Sequence, residues 1–194
     1  MTFPPAKPAD PQLASWCEQL DLVSDQGRQL VRGLSNSQLQ WRPAPTKWSM
    51  AECLEHLAIT ARKGAGRWVP AIAAGRRAGI VAAGPFTFGW FGKWFIGFVG
   101  PNPKRPVPAP AVFAPPASID PAQATTDFFQ SQSEIQSILG SADGLDLGRI
   151  KAPSAAMPLL RFNLATWFAS TVAHEQRHLA QLRRVRNDPG FPPA

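Results

Sequence analysis

The stretch HEQRH at residues 174–178 places two histidines four positions apart around a glutamate, and the only other histidine in the chain is His56. Positions four apart on a helix are neighbours, so His174 and His178 can reach one ion. Three readings compete. Three unrelated histidines, each satisfied by hydrogen bonds, need no ligand. Three imidazoles can also form the kind of ligand set that leaves a position open for water or substrate in catalytic zinc-type sites. H-E-x-x-H is, finally, the pattern of zinc proteases, in which the glutamate is the general base. A zinc protease needs a further ligand after the motif, and residues 179–194 hold no histidine and only one carboxylate, Asp188. It also needs a strand for the substrate backbone, and no strand pattern is present. The first two readings stay open.

Four helices are predicted to position these side chains. The first opens at Asp10-Pro11, a cap followed by proline at the first helical position, with apolar residues at Leu13, Trp16, Leu20, Val23, Leu30 and Val31 before Gly33. The second opens at Ser49 and Glu52, a capping box, and its apolar face of Met50, Leu54, Leu57 and Ala61 carries it to about Ala74. A polar connection, 35–48, joins the first two, and after a much longer connection the third opens at Asp120-Pro121 and ends near Gly140. The fourth is capped by Asn163 and runs to Arg186 before NDPG stops it. At 100° per residue, its apolar stripe takes in Glu175 and has His174 and His178 on its flank, while Gln176 and Arg177 point outward. His56 sits on the flank of the second helix's apolar face, beside Cys53. The fold class is all-α, a four-helix bundle with a long crossover between helices two and three.

That crossover, residues 75–118, is aromatic and glycine-rich at first and proline-rich later, and no regular structure is expected in it. Connections of this length are usually lids or linkers. The density of Phe and Trp argues against a solvated linker. Phe86, Phe88, Trp90, Phe91, Trp94 and Phe95 folded over the histidines favour an enzyme. The same residues on an exposed patch favour an interaction module.

Composition adds bounds. A chain of 194 residues, 44% hydrophobic, fits one domain with a real core, residues 1–194 with 75–118 as an insertion. The N-terminus lacks a signal-peptide core, and no apolar run reaches the roughly 18 residues of a spanning helix. A cytoplasmic location is expected. Two cysteines, Cys17 and Cys53, suit reduced thiols rather than a disulfide framework. The net charge of +7 is spread over GRRAG (75–79), PKRP (103–106) and RRVR (183–186). Without one basic stripe, no nucleic-acid partner is expected.

Two blocks carry a family resemblance. LSNSQLQWRPAPTKWSMAECLEHL (34–57), with its Trp-x-Pro, its Trp-Ser helix start and a histidine beyond, resembles the opening of DinB-like domains. HEQRHLAQLRRV (174–185) resembles the histidine pair with a following glutamine on that family's last helix. The resemblance covers most of the chain apart from 75–118, whose length and aromatic content depart from the pattern. It implies a four-helix bundle with a divalent metal held by His56, His174 and His178. It also implies, from family members of known role, transferase or isomerase chemistry with a low-molecular-weight thiol.

The resulting expectation is a metal-dependent thiol transferase, or a hydrolase, acting on a small electrophile with zinc or nickel as cofactor. Glu175 is the candidate base or orienting group, and Gln181 a candidate hydrogen-bond partner of a ligand. Trp41, Trp48 and Met50 are expected to pack the connection against the bundle, and Cys53 to be a small buried hydrophobe. The alternative is a non-enzymatic, metal-stabilised interaction or stress-response module. Apolar residues of the third helix, Phe128, Phe129, Ile135 and Ile138, suggest a homodimer that covers them.

Overall fold

Each long helix starts at a side chain that satisfies its first free N–H groups. In the computed structural model, which describes residues 7–101 and 108–193, Asp10 accepts from the N–H groups of Gln12 and Leu13 and opens α1 (Pro11–Val31). Gly33, at φ 74°, lets the chain turn away just past its end. A short α2 (Asn36–Gln40) then interrupts the expected polar connection, because Ser35 and Gln38 form a reciprocal capping box. α3 (Met50–Arg77) opens on the Ser49–Glu52 box and runs three residues past Ala74, through Pro70. Ser49→Ala strips the Glu52 N–H of its acceptor. It should lower stability by about 1 kcal/mol, read by urea unfolding, with the helix content unchanged.

The crossover is not irregular throughout. Residues Trp90–Val99 form α4, and Ala111–Phe113 a single 3-10 turn. α4 has no side-chain cap. It is held by packing on the start of the last helix, where a Cβ on Gly92 would stand 2.8 Å from Thr166 Oγ1. α5 (Pro121–Ser141) opens at Asp120 as expected.

Two three-residue strands follow, β1 (Lys151–Pro153) and β2 (Arg161–Asn163), paired antiparallel with Ala152 opposite Phe162. They correct the expectation of no strand, being too short for alternation to show in the sequence. Gly75 admits this hairpin region to α3, since a Cβ there would meet Ile150 Cδ1 at 2.3 Å. Asn163 caps α6 (Leu164–Arg186) through Thr166 N–H and also donates to the carbonyls of Gly148 and Thr87.

The chain is mostly helical, and its long helices meet in a ring: α1 touches α5 and α6, and α3 touches both as well. Two apolar clusters fill the middle. One gathers Trp16, Trp68, Ile135, Phe168 and Val172, and the other Met50, Leu54, Leu57, Phe128, Leu179 and Leu182. Phe128, Ile135 and Ile138 are therefore buried within the chain, and only Phe129 of that set is partly open. The ground for expecting a homodimer over α5 is removed.

Among the described residues no helix is long and apolar enough to cross a membrane. Arg183, Arg184 and Arg186 lie in the last turn of α6, and Arg76 and Arg77 in that of α3, where cations oppose the helix dipole. The basic run at 103–106 lies outside the described residues.

Candidate metal centre

A polar layer separates the two apolar clusters. On α3, His56 lies beside Leu57, the last residue of one cluster on that helix, and before Ala61, the first of the other; on α6, His174, Glu175 and His178 fall between Val172 and Leu179. Gln132 of α5 completes the layer, between Phe128 and Ile135. His56, Gln132, Glu175 and His178 are all buried. Polar groups in a core cost stability unless they are paired, so a layer of them points to function.

The three histidines converge. One ring nitrogen from each lies within 4.8 Å of the others, a grouping able to hold a metal ion. Nε2 of His174 stands 3.4 Å from Nε2 of His56 and 3.1 Å from Nε2 of His178. The outer nitrogens decide the tautomers. His56 Nδ1 donates to the Phe113 carbonyl at 2.8 Å, and His178 Nδ1 donates to Gln181 Oε1 at 3.0 Å. Both of their Nε2 atoms therefore direct lone pairs at His174. A single proton on His174 Nε2 satisfies one of them at best, whereas one borderline divalent cation accepts all three lone pairs. The donor set fits such an ion.

Burial keeps the set in the form that binds. It lowers the pKa of all three imidazoles, that of His174 to about 3, and the neighbouring histidines and Arg177 push His174 and His178 the same way. Neutral imidazole is the ligand form, so little proton loss is needed on binding.

Glu175 lies buried on the inner side of α6, as expected, but its partners are not the expected ones. It makes no hydrogen bond to an imidazole; the partners that orient the ligands are Phe113 and Gln181 instead. Nor does it form an ion pair among the described residues. Burial pushes its carboxyl up to about 8, and the Gln132 amide draws it down slightly. Even so, Glu175 Oε2 and both amide atoms of Gln132 lack partners with hydrogen-bond geometry.

This has a measurable consequence in the metal-free protein. A carboxyl whose folded pKa is raised binds more protons folded than unfolded between about 4.5 and 8. Stability is therefore lost as pH rises through that window. Glu175→Gln removes the loss. The variant should equal the wild type near pH 4.5 and exceed it increasingly as pH rises, by up to about 4 kcal/mol at pH 8, measured by urea unfolding in the presence of a chelator.

The triad lies in the wall of a cavity of about 830 Å³. Phe95, Phe98 and Val99 of α4 line it, with Phe113, Trp68, Trp167, Met157 and Leu160. Lys47, Arg67 and Arg177 supply its cations, and Glu175 its only carboxylate among the described residues. Part of the crossover thus does meet the histidines. The other part does not, since Trp90, Phe91 and Trp94 are exposed, while Phe86 is buried against the larger core cluster.

Other expected residues sort cleanly. Trp48 is more than packing for the connection: its ring centroid lies 4.8 Å from that of His56 and 6.1 Å from that of His178. Trp41 packs on Phe191, and Met50 is fully buried. Cys53 is a free thiol within the second apolar cluster, outside the histidine group, and burial pushes its pKa up; Cys17 is likewise free, raised to about 11. Gln176 and Arg177 do not simply face solvent, since Gln176 donates to Gln19 Oε1 and Arg177 to the Phe98 carbonyl. Phe113 was not legible beforehand, because its contribution is a backbone carbonyl that only the folded crossover brings near.

The family model of the DinB superfamily matches residues 19–182. No curated protein and no solved structure matches the chain.

Proposed function

The chain belongs to the DinB superfamily, and on that basis we propose that it is a metal-dependent enzyme that transfers a low-molecular-weight thiol to a small electrophile, or hydrolyses one. The observation that carries the proposal is the convergence of three neutral imidazoles in the wall of a large cavity. His56, His174 and His178 would hold a zinc or nickel ion. When bound, such an ion supplies Lewis acidity that makes a thiol or a water ionise near neutral pH.

The remaining work falls to the chain. Phe113 and Gln181 fix the ring orientations of His56 and His178. Trp48 shields both imidazoles on one side. Glu175 is the candidate group for moving a proton. Its raised pKa leaves it protonated in the metal-free chain at pH 7, and positive charge beside it favours the carboxylate, the form needed to act as a base. The aromatic walls suit an apolar substrate body, and Lys47, Arg67 and Arg177 suit a negative charge on it. The bundle is taken as one four-helix domain over 1–194, with 75–118 as an insertion that supplies a cavity wall. Two buried, unpaired cysteines agree with a reducing cytoplasm.

A screen of thiols against model electrophiles tests this. Turnover is expected from metal-loaded protein and should vanish on chelation and in His56→Ala. Turnover that survives both shows the triad is not the catalyst. No turnover with any thiol or water favours the second reading, a metal-stabilised interaction module, which rests on the exposed half of α4.

A further inference from the structure

Residues 56–119 contain no aspartate or glutamate, but they carry Arg62, Lys63, Arg67, Arg76, Arg77, Lys93, Lys104 and Arg105; residues 147–174 also lack acids. α4 lies within the first of these stretches. At 100° per residue its buried side is Gly92, Phe95, Ile96 and Val99, and its open side is Trp90, Phe91, Lys93, Trp94, Gly97 and Phe98. Trp90 is 82% exposed and Trp94 53%. Phe91 stacks on Trp94 at 5.4 Å and Trp94 on Phe98 at 5.2 Å, so the open side is a continuous aromatic strip along the helix. The hairpin loop adds Met157 at 57% and Leu159 at 99%. Phe98 and Met157 also border the cavity that holds the histidines. A helix that is apolar on every side is normally covered on every side, and α4 is covered on one.

We propose that the open aromatic face of α4, with the hairpin loop 154–160, seats the protein on a membrane surface containing anionic lipid. Tryptophan and phenylalanine on one side of a short helix enter the boundary between headgroups and acyl chains. Lys93, exposed on that side of the helix, meets the negative surface potential, and α4 carries no carboxylate to oppose it. The same one-sided charge argues against a second copy as the cover, because pairing this region with itself brings like charges together. The helix lies on the membrane and does not cross it. Seating it would bring the apolar rim of the cavity at Phe98 and Met157 to the lipid.

Sedimentation of the full chain with vesicles tests the proposal. Phosphatidylcholine vesicles are compared with the same vesicles carrying roughly one-third phosphatidylglycerol. The chain should bind the anionic vesicles and much less of the neutral ones. Trp90→Ser with Trp94→Ser should weaken binding by about tenfold or more, and Lys93→Glu should weaken it further. Brominated acyl chains should quench the wild-type tryptophan fluorescence, a readout that needs no variant. Binding that is unchanged in the double variant and unaccompanied by quenching means charge alone is at work, and overturns the proposal. Failure to bind either vesicle also overturns it. If the unbound chain is then a dimer by light scattering that Trp94→Ser dissociates, a second copy covers the face instead.

Discussion

His178→Ala should lower the affinity for a divalent ion by more than about 100-fold while leaving the helix content of the wild type. The imidazole is one of three that meet, with its Nε2 lone pair turned inward because Nδ1 is spent on Gln181. Losing it leaves two ligands from two helices, too few to outcompete water for a borderline ion. α6 keeps its shape, since Leu179 and Leu182 still bury in the second core cluster. Gln181→Ala grades the effect: it frees the ring to rotate without removing a ligand, and should cost nearer tenfold. Because burial lowers all three imidazole pKa values, binding by the wild type should persist below the pH of about 6.5 at which exposed histidines take up protons. Titration calorimetry with zinc or nickel reads all three outcomes, and undiminished affinity in His178→Ala removes it from the ligand set.

Phe168→Ala should destabilise the chain by about 3–5 kcal/mol. Phe168 is fully buried on α6, and its ring meets the rings of Trp16 at 6.2 Å and Trp68 at 5.8 Å, both close to edge-on. Truncation deletes those contacts and leaves a void bounded by rigid indoles that cannot collapse into it. Trp68 also lines the cavity beside the histidines, so its wall should loosen as well. Urea unfolding measures the loss against the 5–15 kcal/mol or so available to a typical domain. A change below about 1 kcal/mol would contradict the packing described for this cluster.

What the sequence made legible was local. Asp10, Ser49, Asp120 and Asn163 cap the four long helices as their residue types and spacing indicate. The Ser35–Gln38 box carries the same signal as Ser49–Glu52 and was there to be read in the same way. The inward turn of His174, Glu175 and His178 follows from helical periodicity, and Gln181 lies one turn beyond His178. α4 was hidden for a physical reason. WFGKWFIGFV has two glycines and only one polar residue, Lys93, so helix propensity does not mark it, and its packing against α6 decides its form. The hairpin was too short for a period of two to show. Phe113 acts through a backbone carbonyl, which no side-chain pattern reveals. Glu175 was placed correctly on the inner face, but its neighbour is Gln132 of α5, a contact set by packing between helices that sequence spacing does not specify.

The central claim is that His56, His174 and His178 bind one ion together, and the most direct measurement is metal content by mass spectrometry. The protein should be purified without a histidine tag, equilibrated with zinc or nickel and then freed of excess, beside a variant with all three histidines changed to alanine. About one divalent ion per chain is expected in the wild type and essentially none in the variant. Equal content in the two, or an empty wild type after equilibration at neutral pH, would contradict the account.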